Sequence, residues 1–231
     1  MRTIIVGYGQ IGIALYKILK EHYPIGVVDD KKEGADFEVL DSPYNQGNTV
    51  VGEYDILHIC FPYSDEFISE VKRYQALYKP KYTVIHSTVP RGTSDKCGAI
   101  HSPIRGIHPN LESGIRTFPK FLGGKQASEV ADYFRKAGLK VILYDKAETT
   151  EALKLFDTEY YRHCIEFAQR VKRYCDERGL NFSEVYTIPN QTYNEGYTKL
   201  GMSEVVRPVL QPIMKEIGGH CLIPNSKLIQ E

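Results

Sequence analysis

A strand that runs straight into three glycines at G-x-G-x-x-G spacing, and then into a helix, leaves few folds open. This chain begins with one. Thr3-Ile4-Ile5-Val6 leads into Gly7-Tyr8-Gly9-Gln10-Ile11-Gly12 and on into Ile13-Ala14-Leu15-Tyr16-Lys17-Ile18-Leu19. In this order Gly7 makes the tight turn, Gly9 lets backbone approach a pyrophosphate, and Gly12 allows close helix-to-strand packing. The helix start presents backbone N–H groups and the positive end of its dipole, so a bound anion needs no basic side chain there. Gln10 and Ile11, between the glycines, complete the cofactor-binding turn. A second apolar run, Ile25-Gly26-Val27-Val28, ends in Asp29, about twenty residues after the turn, where a carboxylate can accept hydrogen bonds from adenosine ribose hydroxyls. That acid selects NAD over NADP, because a 2′-phosphate would meet its charge. An S-adenosylmethionine site also uses a glycine turn and an acid, but the third glycine argues against it.

The rest of the first half repeats the strand and helix alternation. Short β-branched runs recur at 56–61, 84–87, 99–102, 121–123 and 141–144, separated by helical stretches, which implies βαβ units and a doubly wound parallel sheet. The text changes at Asp145–Thr150. From Glu151 to Arg178 apolar residues fall at 152, 155, 156, 160, 164, 167, 168, 171 and 175, a long amphipathic helix. Thr149 or Thr150 is its N-cap candidate and Gly179 its left-handed stop. Asn181 to Gly201 is polar and carries Pro189, Asn190, Asn194 and Gly196; a shorter helical stretch is expected around Glu204–Val209. The expected architecture is a Rossmann α/β domain over 1–146, then the long helix and a small helical unit over 147–231. Some 80 residues bury little core alone, so that unit should pack on the first domain or on a second subunit.

Charge and cysteines narrow the function classes. Lys plus Arg and Asp plus Glu each total 29, so no global field recruits nucleic acid or an anionic membrane. The first residues enter a structured pattern at once, and no apolar run approaches a membrane span, which points to a cytoplasmic protein. The five cysteines, Cys60, Cys97, Cys164, Cys175 and Cys221, are scattered without a C-x-x-C pair, so they are expected as reduced thiols rather than disulfides or zinc ligands. His101 and His108 have no third ligand at metal-site spacing, and no metal is expected. Arg91 and Arg105 are candidates to clamp a phosphate or carboxylate.

Four further segments resemble, in order, the UDP-glucose/GDP-mannose dehydrogenase family. They are Tyr54-Asp55-Ile56-Leu57-His58-Ile59-Cys60-Phe61-Pro62; Ser87-Thr88-Val89-Pro90-Arg91-Gly92-Thr93; Glu151-Ala152-Leu153-Lys154-Leu155-Phe156 with Tyr160; and Gly218-Gly219-His220-Cys221-Leu222-Ile223-Pro224. The resemblance implies an NAD enzyme that oxidises a sugar-nucleotide alcohol, with Phe61, Pro62 and Thr88 beside the cofactor. It also implies Cys221 as nucleophile, Lys154 as the group that stabilises an oxyanion, and the helix 151–178 as the core of a homodimer. Two successive hydride transfers need such a thiolate, because it holds the intermediate aldehyde as a thiohemiacetal whose oxidation gives a thioester.

The chain departs from the family pattern at catalytic positions. Thr158 stands where the helix carries asparagine, Asn225 stands where an aspartate follows the cysteine, and Ile104 replaces the carboxylate after the fifth strand. The sequence ends just after the cysteine element, where the resemblance leads one to expect a further nucleotide-binding domain. Two expectations follow. One is an oxidoreductase acting on an alcohol of a sugar-like or small anionic substrate through Cys221, Lys154, Thr88 and Asn225. The alternative is a catalytically silent NAD-binding protein with a sensing or assembly role.

Overall fold

The computed structural model describes residues 1–29, 53–106, 110–212 and 225–229. Seven strands form one sheet: β1 (Thr3–Val6), β2 (Ile25–Val28), β3 (Ile56–Ile59), β4 (Tyr82–Ile85), β5 (Ile100–His101), β6 (Lys120–Gly123) and β7 (Val141–Tyr144). Every one falls on a run expected from the sequence. Their order across the sheet is β2-β1-β3-β4-β5-β6-β7. All pairs are parallel except β5 with β6, which meet antiparallel at His101 and Gly123. The doubly wound parallel sheet expected from the sequence is present, with one antiparallel pair within it.

Neighbouring residues on a strand face opposite sides, and both sides are buried. Ile5, Val84 and Leu122 pack under α1 (Gln10–Leu19), α4 (Leu111–Thr117) and α5 (Ala127–Lys136), whereas Ile4, Leu57, Ile59 and Ile85 pack with Phe67, Val71, Tyr74 and Tyr78 of α2 (Phe67–Tyr78). A short helix α3 (Thr93–Lys96) follows β4. This is the Rossmann architecture.

The long helix α6 spans Ala147–Arg178, 32 residues. It starts four residues earlier than expected, so Thr149 and Thr150 lie in its first turn instead of capping it. Its stop is as expected: Gly179 adopts φ +65°. The polar stretch that follows folds further than its composition suggested. A π-helical turn at Ser183–Thr187 runs into α7 (Ile188–Lys199), with Pro189 in the first turn where a missing N–H costs nothing. Asn190 Nδ2 donates to the Tyr186 carbonyl at 2.7 Å, and the Asn194 amide both donates to and accepts from the Arg207 backbone at 2.8 Å. Residues that looked like breakers thus hold the helix and its return segment. The helix expected near 204–209 is reduced to a single 3-10 turn at Ser203–Val205, after which Val206 is extended. Pro208 disfavours helical backbone at Arg207 and ends the turn.

The chain divides into two compact units, Met1–Lys154 with Ile229, and Leu155–Leu228. Among the described residues no helix is long and apolar enough to cross a membrane.

Candidate cofactor and substrate site

The glycine turn is shaped by contacts that leave no room for side chains. Gly7 has φ +94°, and a Cβ there would lie 2.8 Å from Phe61 N and 2.9 Å from the Cys60 carbonyl carbon. A Cβ on Gly12 would meet the Gly7 carbonyl oxygen at 2.0 Å, so α1 approaches β1 only because Gly12 has none. Gly9 differs. Nothing lies within 4 Å of its Cβ position, it is exposed, and it caps α1 without any side-chain hydrogen bond. With no protein neighbour to demand glycine there, the open position fits a ligand's pyrophosphate passing close to backbone. Gln10 is exposed and Ile11 half-buried in the first turn of α1, which contains no acid. Asp29, just past β2, accepts a hydrogen bond from Tyr8 N at 2.9 Å, so its carboxylate is fixed beside the turn.

Because β1 has β2 on one side and β3 on the other, the crevice beyond its C-terminal end is the topological switch point where open α/β sheets hold ligands. The ends of β3 and β4 line up there. Cys60 N donates to the Val6 carbonyl at 2.8 Å, and Ser87 Oγ donates to the Phe61 carbonyl at 2.5 Å. That bond ties half-buried Phe61 and exposed Pro62 to the strand end carrying half-buried Thr88.

The first turns of α6 meet the same loop. Glu151, fully buried, accepts hydrogen bonds from Gly92 N at 2.6 Å and Ser94 N at 2.7 Å. Burial raises its carboxyl pKa, and the Ser94 and Gly92 N–H groups offset that only in part. His101 Nε2 lies 3.1 Å from the Ser87 carbonyl, which can only accept, so Nε2 carries the proton; Nδ1 faces the Thr150 hydroxyl at 2.9 Å, which lies equally close to the Ala147 carbonyl. Burial pulls His101 down to about 3 and keeps the ring neutral; the Lys120 and Lys154 ammonium groups lower it further. Lys154, half-buried, follows one turn along α6. Arg91 lies near Glu148 at 3.9 Å, and the Arg105 guanidinium lies across the Phe118 and Phe121 rings.

The other candidates fall elsewhere. Asn225 is buried in the second unit, where its carbonyl accepts from Leu228 N at 3.0 Å; Thr158 is buried there too. Cys221 and the glycine pair before it lie outside the described residues, as does His108. Ile104 is a buried core residue. Among the described thiols, Cys60, Cys97 and Cys175 are buried; burial pushes Cys60 far up and Cys97 to about 11, away from thiolate formation. Among the described residues no cluster could hold a metal.

Sequence reasoning missed two features. Glu151 was read only as the start of a helix, although a buried acid opposite a glycine loop is a capping acceptor. The other is a buried polar chain: Tyr133 Oη to His58 Nε2 at 3.2 Å, His58 Nδ1 to His86 Nε2 at 2.9 Å, and His86 Nδ1 to the Ser102 carbonyl at 2.8 Å, with Lys120 Nζ 3.3 Å from that same Nδ1. Histidines in apolar strand runs, in ILHI and VIHS, were its only signal.

No family model matches the chain. A curated relative, the UDP-N-acetyl-D-mannosamine dehydrogenase of Methanocaldococcus jannaschii, is 23% identical over 280 residues, covering 100% of this chain and 61% of that protein. Among solved structures, UDP-D-ManNAc dehydrogenase from Pyrococcus horikoshii superposes with a TM-score of 0.73 at 17% identity, covering 99% of this chain and 64% of that one. NDP-N-acetyl-D-galactosaminuronic acid dehydrogenase from Methanosarcina mazei gives 0.65 at 19% identity, covering 98% and 59%. The chain is similar over its whole length to nucleotide-sugar dehydrogenases. This similarity agrees with the resemblance read from the motifs, and the chain spans about 61% of the curated relative's length.

Proposed function

We infer that this chain is an NAD-dependent oxidoreductase acting on an alcohol of a sugar-like or small anionic substrate, similar to nucleotide-sugar dehydrogenases. The observation that carries this reading is the open backbone at Gly9 with Asp29 fixed beside it, at the strand ends that bear Phe61, Pro62 and Thr88. NAD held by Gly7, Gly9, Gln10, Ile11, Gly12 and Asp29 supplies the hydride acceptor. Thr88 holds substrate or water from the end of β4. Lys154 would stabilise negative charge on the substrate oxygen. Cys221 adds to the resulting carbonyl when a second oxidation follows. Asn225 offers an amide where the family's carboxylate would help activate water, which favours a two-electron oxidation that ends at the carbonyl and needs no thioester hydrolysis.

A second reading keeps NAD without turnover, as a sensing or assembly protein. The side chains that favour it are Ile104, Thr158 and Asn225 in place of polar or charged catalytic groups. In either reading the protein is placed in the cytoplasm and pairs as a homodimer through α6, whose Phe156 and Tyr160 are 61% and 62% exposed.

Cofactor choice tests the site directly. NAD is expected to bind at least about tenfold tighter than NADP, a gap of about 1.4 kcal/mol, and Asp29→Ala should narrow it. Isothermal titration decides: equal affinities in the unaltered chain overturn the assignment.

A further inference from the structure

The loop that carries Thr88 and the turn of α6 that carries Lys154 are joined at two points. Glu151 takes two backbone N–H groups of the loop, from Gly92 and Ser94. His101 bridges Thr150 to the Ser87 carbonyl, the residue before Thr88. Gly123 at the end of β6 packs directly against the same first turn of α6, since a Cβ there would lie 2.5 Å from Thr150 Oγ1 and 2.7 Å from the Lys146 carbonyl oxygen. His101, Thr150 and Glu151 are each fully buried. A buried carboxyl that loses a backbone N–H partner leaves both groups unmet, so these bonds hold the loop and the helix turn together. A helix fixed at Thr150 and Glu151 presents residue 154 on the same face one turn on.

We propose that His101, Thr150 and Glu151 are positioning residues, a buried clamp that sets the Lys154 turn against the strand end carrying Thr88. The role rests on the reading of Lys154 and Thr88 as substrate-contacting groups; the clamp itself does not. The ring of His101 stays neutral through the physiological range, so the hydrogen-bond set does not change there with pH. A clamp of this kind acts on turnover more than on cofactor affinity, because a displacement of about 1 Å at a reacting group can cost about a hundredfold in rate.

Thr150→Val removes the hydroxyl at nearly constant shape, and Thr150→Ser restores it. Glu151→Gln is the second lever, since it turns one acceptor into a donor facing a backbone N–H. Two readouts apply to each: the rate at which trinitrobenzenesulfonate modifies Lys154 in the NADH complex, mapped by mass spectrometry, and turnover with NAD and UDP-N-acetyl-D-mannosamine. Thr150→Val and Glu151→Gln are expected to change Lys154 modification by about fivefold or more, and to lower kcat about tenfold with KM for NAD within about twofold. Thr150→Ser should match the unaltered chain on both. Unchanged Lys154 modification in the Val and Gln variants, or failure of Ser to restore it, overturns the clamp. If the unaltered chain forms no NADH from the sugar nucleotide, the dehydrogenase reading is what fails, and the modification rates still decide the clamp.

Discussion

Single residues divide into those whose chemistry was legible and those whose partners decide their role. Gly7, Gly12 and Asp29 could be assigned from spacing alone, because the steric demands of a strand-turn-helix crossing are local. Cβ atoms at the two glycines would collide with backbone, and Asp29 holds the turn through Tyr8. Glu151 and His101 were not legible, because their partners, Gly92, Ser94 and Ser87, lie 59, 57 and 14 residues away along the chain. The thiols form a residue-scale test of Cys221. Burial raises Cys60 and Cys97, which lowers their thiolate fraction at neutral pH. Cys221 should therefore alkylate with iodoacetamide faster than Cys60, Cys97, Cys164 and Cys175, with NAD protecting it. Mass spectrometric mapping that finds Cys221 the slowest, or unprotected by NAD, removes it from the proposed chemistry.

At the scale of elements, every strand was visible as a short apolar run, because strands of a sheet covered by helices are apolar nearly throughout. Strand direction was not visible: nothing local to Phe121-Leu122-Gly123 records that its partner on one side runs the other way. The α7 helix was hidden for a different reason, since Asn190, Asn194 and Gly196 read as breakers until the backbone groups they serve are known. The sheet also carries a pH dependence. His58 and His101 are buried neutral and held near 3, below their ordinary 6.5; His86 is also lowered, and Lys120 is lowered to about 7 by burial. The groups facing this network are Tyr133, Thr3, Cys60, Thr150 and Lys154.

The unfolded chain binds protons at these histidines below 6.5 while the folded one does not until near 3, so stability falls as pH drops through that window, by about 1.4 kcal/mol per unit for each group. For Lys120 the window is from about 7 to 10.5: the unfolded chain holds the proton and the folded one does not, so its contribution makes stability rise with pH there. Urea midpoints should therefore drop steeply between pH 6.5 and 4. His58→Gln or His101→Gln should flatten that drop, and a midpoint flat across the same range would show that these rings are not buried neutral.

For the whole molecule, the apolar stripe on α6 is only partly covered within its own unit. Leu155, Ala168 and Cys175 are buried, whereas Phe156, Tyr160, Phe167 and Tyr174 remain at least 47% exposed. Exposed aromatic rings recurring along one helix are the surface that the proposed homodimer would cover. Light scattering at micromolar concentration should give the mass of two chains, and Phe156→Glu with Tyr160→Glu should return it to one; a single-chain mass without those substitutions excludes the homodimer. The central claim is hydride transfer to NAD, and it is tested most directly by counting NADH formed when NAD is mixed with UDP-N-acetyl-D-mannosamine, UDP-glucose or GDP-mannose. The expected result is NADH in proportion to sugar nucleotide consumed, abolished by Lys154→Ala and Thr88→Ala; tight NAD binding with no NADH from any of them would contradict the oxidoreductase and leave the silent NAD-binding protein.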